Sequence, residues 1–308
     1  MNQADTFWES APQTPLQLVE APLFDDLGIQ LYIKRDDLIH PFVSGNKWRK
    51  LKFNLLEAKQ QGFEKLLTFG GAYSNHLAAV AAAGQRLGFE TIGIVRGDEL
   101  TPASNATLNF VTQCGMQLVF VTREAYRNKE ELALRYGPDC YVLPEGGTNA
   151  LAVKGVGEVV TEITAQLGRV PTYLCTPVGT GGTLSGLCAN ASPDTRVLGF
   201  SAIKNGQYLL PTINALISQA AGFEKVNYEI SWEAHWGGYG KTTSELMTFI
   251  QNFENQTGIL LEQVYTGKMM YQIFDFLRPE GAYFKRGDVV VALHTGGLQG
   301  RSKALDKS

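Results

Sequence analysis

Residues 65–71, KLLTFGG, and 74–88, SNHLAAVAAAGQRLG, decide the fold. The first is a short apolar run closed by glycines, the pattern of a buried strand. The second keeps small and apolar residues together over several turns and stops at a glycine, the pattern of a helix. The alternation continues downstream. TIGIVRG (91–97), MQLVFVT (116–122) and CYVLPEGG (140–147) are expected strands, separated by expected helices SNATLNFVTQCG (104–115) and REAYRNKEELALRYG (123–137). After the Gly146-Gly147 pair it resumes with a helix at 153–168, a strand TYLCTPVG (172–179), a helix TLSGLCANA (183–191) and a strand RVLGFSAI (196–203). DVVVALHTGG (288–297) closes the series. Upstream, LYIKRDD (31–37) reads as a strand, and Trp48, Leu51, Leu55 and Ala58 share one face of a helix starting near Gly45. Strands alternating with helices imply parallel sheets covered by helices, and at 308 residues two such units are expected. The fold class is α/β.

Composition excludes several functions. Hydrophobic residues are 44% and charged residues 19%, a globular balance; 27 Lys and Arg against 30 Asp and Glu leave a net charge of −3. No basic stripe is present to neutralise a nucleic-acid backbone, so nucleic acid is not expected as a partner. The four cysteines, Cys114, Cys140, Cys175 and Cys188, form no CxxC pair, and the four histidines no HExxH motif, so no metal site is expected. The N-terminal MNQADTFWESAPQTP has neither the basic nor the apolar part of a secretory leader, and the apolar stretches are too short to cross a bilayer. The expectation is a cytoplasmic protein with no membrane partner.

Ligands of wound sheets collect at the carboxyl ends of the strands. There the chain carries TPVGTGGTLSG (176–186): Gly179, Thr180, Gly181, Gly182 and Thr183 lie between a strand and a helix. Backbone N–H groups in such a turn, with the helix start, form a cradle for one phosphate. The alternative is an ordinary glycine turn; a dinucleotide fingerprint fails because Leu184 stands where its last glycine belongs. Lys47, in SGNKWRKLK, is poorly placed at a helix start, where the macrodipole disfavours a cation and would lower its pKa, as a Schiff-base lysine needs. Otherwise it is a solvated lysine. Ser44 and Lys47 fit an SxxK acylase pattern without the elements that follow it, and neither Asn46-Lys47 nor Gly240-Lys241-Thr242 completes a P-loop. In GGAYSNH (70–76), Ser74 or Asn75 could simply cap the helix. Tyr239 and Tyr265, taken singly, could be packed aromatics.

Together IKRDDL with GNKWRKL, GGAYSNH, GTGGT, YTGK and HTGG, in that order, resemble fold type II pyridoxal-phosphate enzymes. The branch is the one containing 1-aminocyclopropane-1-carboxylate (ACC) deaminase and D-cysteine desulfhydrase, and the resemblance covers nearly the whole chain. It implies pyridoxal 5'-phosphate linked to Lys47, which then moves protons. Ser74 would be a catalytic hydroxyl, Asn75 would bond the cofactor's phenolic oxygen, and His76 would help bind the substrate carboxylate. Tyr239 and Tyr265 would flank the substrate, and residues 179–183 would hold the phosphate. It further implies a large domain of residues 1–50 plus 159–308, a small inserted domain of residues 51–158, and a homodimer. Tyr73 departs from the family's usual glutamine. Thr266 and Thr295 stand where ACC deaminases typically carry glutamate and leucine. Two neutral hydroxyls at the pyridine nitrogen make a weaker electron sink than a carboxylate does. That favours β-elimination from a D-cysteine-like amino acid to pyruvate, ammonia and sulfide, with ACC deamination as the alternative. A cofactor-free binder of phosphate ligands is the reading from another class.

Overall fold

The computed structural model describes residues 3–10, 12–221, 227–277 and 283–306. Its strands are β1 (Leu16–Leu18), β2 (Gln30–Lys34), β3 (Lys65–Gly70), β4 (Glu90–Arg96), β5 (Gln117–Val121), β6 (Tyr141–Val142), β7 (Tyr173–Val178), β8 (Arg196–Ser201), β9 (Tyr228–Ser231) and β10 (Val289–Leu293). They form two sheets. One has six strands in the order β1-β2-β10-β7-β8-β9, parallel except for β1 against β2. The other has four, in the order β5-β4-β3-β6, all parallel.

Both sheets are covered on both faces, which is why their strands read as continuous apolar runs. Period-2 alternation deals residues to opposite cores. From β10, Val290 and Ala292 join Cys175, Leu198 and the helices Ser244–Thr257 and Thr266–Asp275. Val291 and Leu293 join Leu174, Val197 and the helices Ala150–Leu167 and Gly182–Asn190. In the smaller sheet, Leu66 and Val95 pack on the helices Asn46–Gln60 and Asn75–Leu87, while Leu67, Phe69 and Ile94 pack on Tyr126 and Leu132.

Two elements differ from expectation. The helix expected over 123–137 is a short 3-10 turn, Ala125–Arg127, then a helix Lys129–Tyr136. Asn128, at φ −95° and ψ 76°, breaks the run, and its side chain accepts from the Glu131 N–H to cap the second piece. The strand expected over 140–147 is only Tyr141–Val142, since Pro144 cannot donate to a ladder. The expected domain borders at 50/51 and 158/159 fall inside the helices Asn46–Gln60 and Ala150–Leu167. These pack against each other through Lys52–Glu158 at 2.5 Å and Arg49–Glu162 at 2.5 Å, so a tightly packed helix pair runs between the two sheets. Among the described residues no helix is long and apolar enough to cross a membrane.

Candidate active site

The carboxyl ends of the two sheets face a shared cavity of about 990 Å³. Lys47 lies on its floor, the second residue of its helix, after Gly45 at φ 62°. A Cβ on Gly45 would sit 2.0 Å from the Thr295 carbonyl oxygen, so only glycine lets the helix start press against the turn that follows β10. The Asn46 N–H donates to that same oxygen at 3.3 Å. Lys47 Nζ donates to Asn46 Oδ1 at 2.8 Å, and Asn46 Nδ2 donates to Thr183 Oγ1 at 2.8 Å, joining the lysine to the glycine loop. Loss of solvation lowers the Lys47 pKa to about 8, while the buried Glu262 carboxylate pulls it back upward. Desolvation, with no need of the helix dipole, is thus a sufficient cause.

The loop after β7 turns through Gly181 at φ 84°, and its helix begins at Gly182. Thr180 Oγ1 lies 2.5 Å from Thr148 Oγ1. Lys50, one turn on from Lys47 and buried, donates to the Gly146 carbonyl at 3.0 Å and to Thr148 Oγ1 at 3.3 Å. A Cβ on Gly182 would meet Lys50 Nζ at 3.0 Å, so this ammonium stands directly against the loop. Burial, then Lys47, holds its pKa well below the ordinary value. A bound anion would restore the charge. Backbone N–H groups, three hydroxyls and a buried lysine form a donor set that suits a phosphate.

On the opposite wall Ser74 caps the helix Asn75–Leu87, its Oγ accepting from the Leu77 N–H at 3.2 Å. Asn75 Oδ1 accepts from Gln299 Nε2 at 2.9 Å, a clasp between the two sheets' loops. His76 is buried, and its Nε2 lies 2.9 Å from Thr68 Oγ1, whose hydroxyl donates to the Leu143 carbonyl at 3.0 Å. Nε2 therefore carries the proton, and among the described residues no hydrogen bond meeting ordinary geometry reaches the buried Nδ1. Burial, with Lys47 and Lys50 nearby, pushes the His76 pKa well below 6.5, so the ring offers no charge to a carboxylate.

Tyr265 lies over Gly179, where a Cβ would be 3.3 Å from its hydroxyl, and its ring meets that of Tyr239 edge-on at 5.9 Å. Burial and Tyr239 push the Tyr265 pKa well above 10, leaving a neutral phenol able to donate. Thr295 lines the cavity beside Gly296, but Gly182 and Thr266 do not. Thr266 is fully buried behind Tyr265, its hydroxyl donating to Glu262 Oε1 at 3.1 Å and accepting the Glu262 N–H at 3.0 Å.

Four further residues shape the site. Lys50 was hidden in a basic run and Asn46 read only as a failed P-loop. Glu262 gathers the N–H groups of Val264, Tyr265 and Thr266 at 2.6–2.8 Å and fixes the helix start that presents Tyr265. Lys268 is buried and donates to the carbonyls of His235 and Gly238 at 2.8 and 2.9 Å, holding the loop that carries Tyr239.

Comparison with known proteins agrees with this geometry. The sequence profile of the "Pyridoxal-phosphate dependent enzyme" family matches residues 9–296. A "Putative 1-aminocyclopropane-1-carboxylate deaminase" of Pyrococcus horikoshii is 31% identical, covering 96% of this chain and 92% of that protein. A "D-cysteine desulfhydrase" of Klebsiella pneumoniae is 30% identical, covering 92% and 91%. The crystal structure of an ACC deaminase homologue superposes with a TM-score of 0.81 at 27% identity, covering 100% of this chain and 98% of that one. A cavity holding a desolvated lysine and a phosphate cradle is what the cofactor requires, and the chain belongs to the family of pyridoxal-phosphate dependent enzymes.

Proposed function

We propose that the protein eliminates the β-substituent of a D-cysteine-like amino acid, giving pyruvate, ammonia and sulfide. Residues 179–183, with Lys50, Thr148 and Asn46, would hold the phosphate, and Lys47 the aldehyde carbon. Bound pyridoxal phosphate supplies the electron sink that makes a substrate's Cα proton acidic. Lys47, near balance between amine and ammonium at mildly alkaline pH, takes and returns a proton at Cα. Tyr265 donates from a neutral phenol towards the departing sulfur, and Ser74 and Asn75 bind the substrate end. His76 acts as a neutral support beneath them.

The observation that carries this reading is Thr295. It puts a neutral hydroxyl on the cavity wall, and the carboxylates that line the cavity, Glu99 and Glu145, belong to the small-sheet side. A neutral partner suits expulsion of a thiolate, already a good leaving group. A second reading, opening of the ACC ring, draws on Glu262, whose carboxylate lies one hydrogen bond behind Thr266. Assaying both substrates decides between them: D-cysteine is expected to exceed ACC at least about tenfold in kcat/KM, a difference of about 1.4 kcal/mol. A preference for ACC would select the second reading. Four free thiols support a reducing, cytoplasmic setting, and a symmetric homodimer is the expected assembly.

A further inference from the structure

The cavity runs past the cofactor's seat at Lys47 and the glycine loop to the small-sheet residues Arg96, Arg123 and Arg127. At 990 Å³ it stands at the top of the range for whole ligand pockets, about 300–1,000 Å³. Part of the space lies along the small sheet, where β4 ends at Arg96 and the chain leaving β5 brings Tyr126. Charge on this wall is lopsided. Arg96, Arg123, Arg127 and Lys129 line it against only Glu99 and Glu145. Arg123 pairs with Glu99 at 2.6 Å and Lys129 with Glu145 at 3.2 Å. The second Glu145 oxygen accepts from the Tyr126 hydroxyl at 2.9 Å. Both carboxylates are thereby engaged.

Arg96 and Arg127 are left over, neither with an ion pair or a side-chain hydrogen bond among the described residues, but it is Arg96 that is braced on the Tyr126 ring, 5.6 Å from guanidinium carbon to ring centre. Its Nη2 lies 3.7 Å from where a Cβ on Gly71 would be, so its head is beside the loop that carries Ser74. An arginine with open donors, braced on an aromatic ring at the end of a parallel strand, is built to take an oxyanion through two parallel N–H groups.

We infer that Arg96, braced by Tyr126, is an anion subsite for the distal end of the substrate, and that the preferred substrate is an S-substituted cysteine whose substituent ends in a carboxylate or sulfonate. The inference rests on the β-elimination reading above. Its chemistry balances without an oxidant or reductant. The Cα proton leaves, the Cβ–S bond breaks with its electron pair on sulfur, and the thiolate is protonated to an acidic thiol. Water then completes release of ammonia and pyruvate. Arg96 is a specificity residue that touches only the tail.

Two probes of nearly equal size separate charge from bulk: S-carboxymethyl-cysteine and its neutral amide, S-carbamoylmethyl-cysteine, each as D and L forms. Holoenzyme and its Arg96→Gln variant are compared by pyruvate release and by equilibrium titration of the visible cofactor band. The wild type is expected to favour the acid over the amide about tenfold in both Kd and kcat/KM, the lower end for a charge-assisted hydrogen bond at an exposed site. Arg96→Gln should bring that ratio near one, leaving the amide and D-cysteine within about twofold. Added salt should shrink the wild-type preference, because Arg96 is exposed. Equal affinity for acid and amide in the wild type would overturn the subsite. So would an Arg96→Gln variant weakened equally for both probes, which would place Arg96 at the α-carboxylate instead. Failure of the elimination reading shows differently: no pyruvate from D-cysteine or either probe, with the Kd ratio still reporting on Arg96.

Discussion

Lys47 has two duties that want opposite protonation states. As the attachment point for an aldehyde it must be an amine, and as an acid it must be an ammonium. A pKa lowered by burial to about 8 serves both. Below that value most of the group is protonated and cannot attack. Uptake of pyridoxal phosphate by cofactor-free protein should therefore accelerate through pH 7 to 8 and level off above it. Stopped-flow absorbance from pH 6.5 to 9 measures this; a rate independent of pH would leave Lys47 without the depressed pKa. Lys47→Ala should form no visible band, whereas Lys52→Ala, paired with Glu158 outside the cavity lining, should behave as wild type. Lys47, Ser74 and Tyr265 stand out as candidates in the sequence because each sits in a short pattern joining a strand or loop to a helix start, and all three line the cavity. Thr266 is buried with its hydroxyl on Glu262, a partner that lies four residues back and that no short pattern announces. Lys50 and Arg96 were invisible because a lysine in a basic run and an arginine at a strand end look the same whether solvated or aimed into a cleft.

The loop 235–240 shows how one element positions another. Trp236, Gly237, Gly238 and Gly240 all have positive φ, so the segment has little local reason to hold one shape. Its shape comes from Lys268 on the helix Thr266–Asp275, which binds two of its carbonyls and lies one turn on from Tyr265, the residue that caps that helix. Tyr239 and Tyr265 are thus set edge to face by a single buried ammonium. Lys268→Met keeps the bulk and removes both bonds. It should lower kcat by about ten- to a hundredfold through misplacement of Tyr239, with the cofactor band unchanged. It should also speed trypsin cleavage after Lys241, a readout independent of turnover. Unaltered cleavage together with unaltered kcat would show that the loop is held by its other contacts. At this scale the strands were legible as apolar runs, but their order was not. β10 inserts between β2 and β7, pairing Val289 with Gln30 and Val290 with Tyr173, and nothing local in the sequence specifies partners so far apart.

Across the whole molecule, the helix that carries Lys47 is tied to the large sheet by charge. Arg49 binds Asp36 through Nε and Nη2, both at 3.0 Å, and Glu162 through Nη1 and Nη2 at 2.5 and 2.8 Å. Glu162 also pairs with Lys34 at 2.8 Å, and Lys34, fully buried at the end of β2, donates to the Thr14 carbonyl. Three distant parts of the chain, β2 and the helices Asn46–Gln60 and Ala150–Leu167, thus meet on one carboxylate. Burial works to raise the Glu162 carboxyl, but the bonds from Arg49 and Lys34 prevail and hold it below its ordinary 4.5. A carboxylate depressed in the folded state adds stability that is complete above the unfolded pKa and lost as pH falls through the folded one. Glu162→Gln leaves the volume and removes the charge, stranding Lys34 and part of Arg49. Removing one partner of a buried pair costs about 3–5 kcal/mol, and the 24% exposure of Glu162 argues for the lower end, about 3 kcal/mol at pH 7. Urea unfolding of wild type and variant at pH 7, 5 and 3.5 should show that gap narrowing below pH 4.5, as the wild type protonates and comes to resemble the amide. A gap that stays constant down to pH 3.5 would mean that packing around the side chain, and not its charge, joins the Lys47 helix to the large sheet.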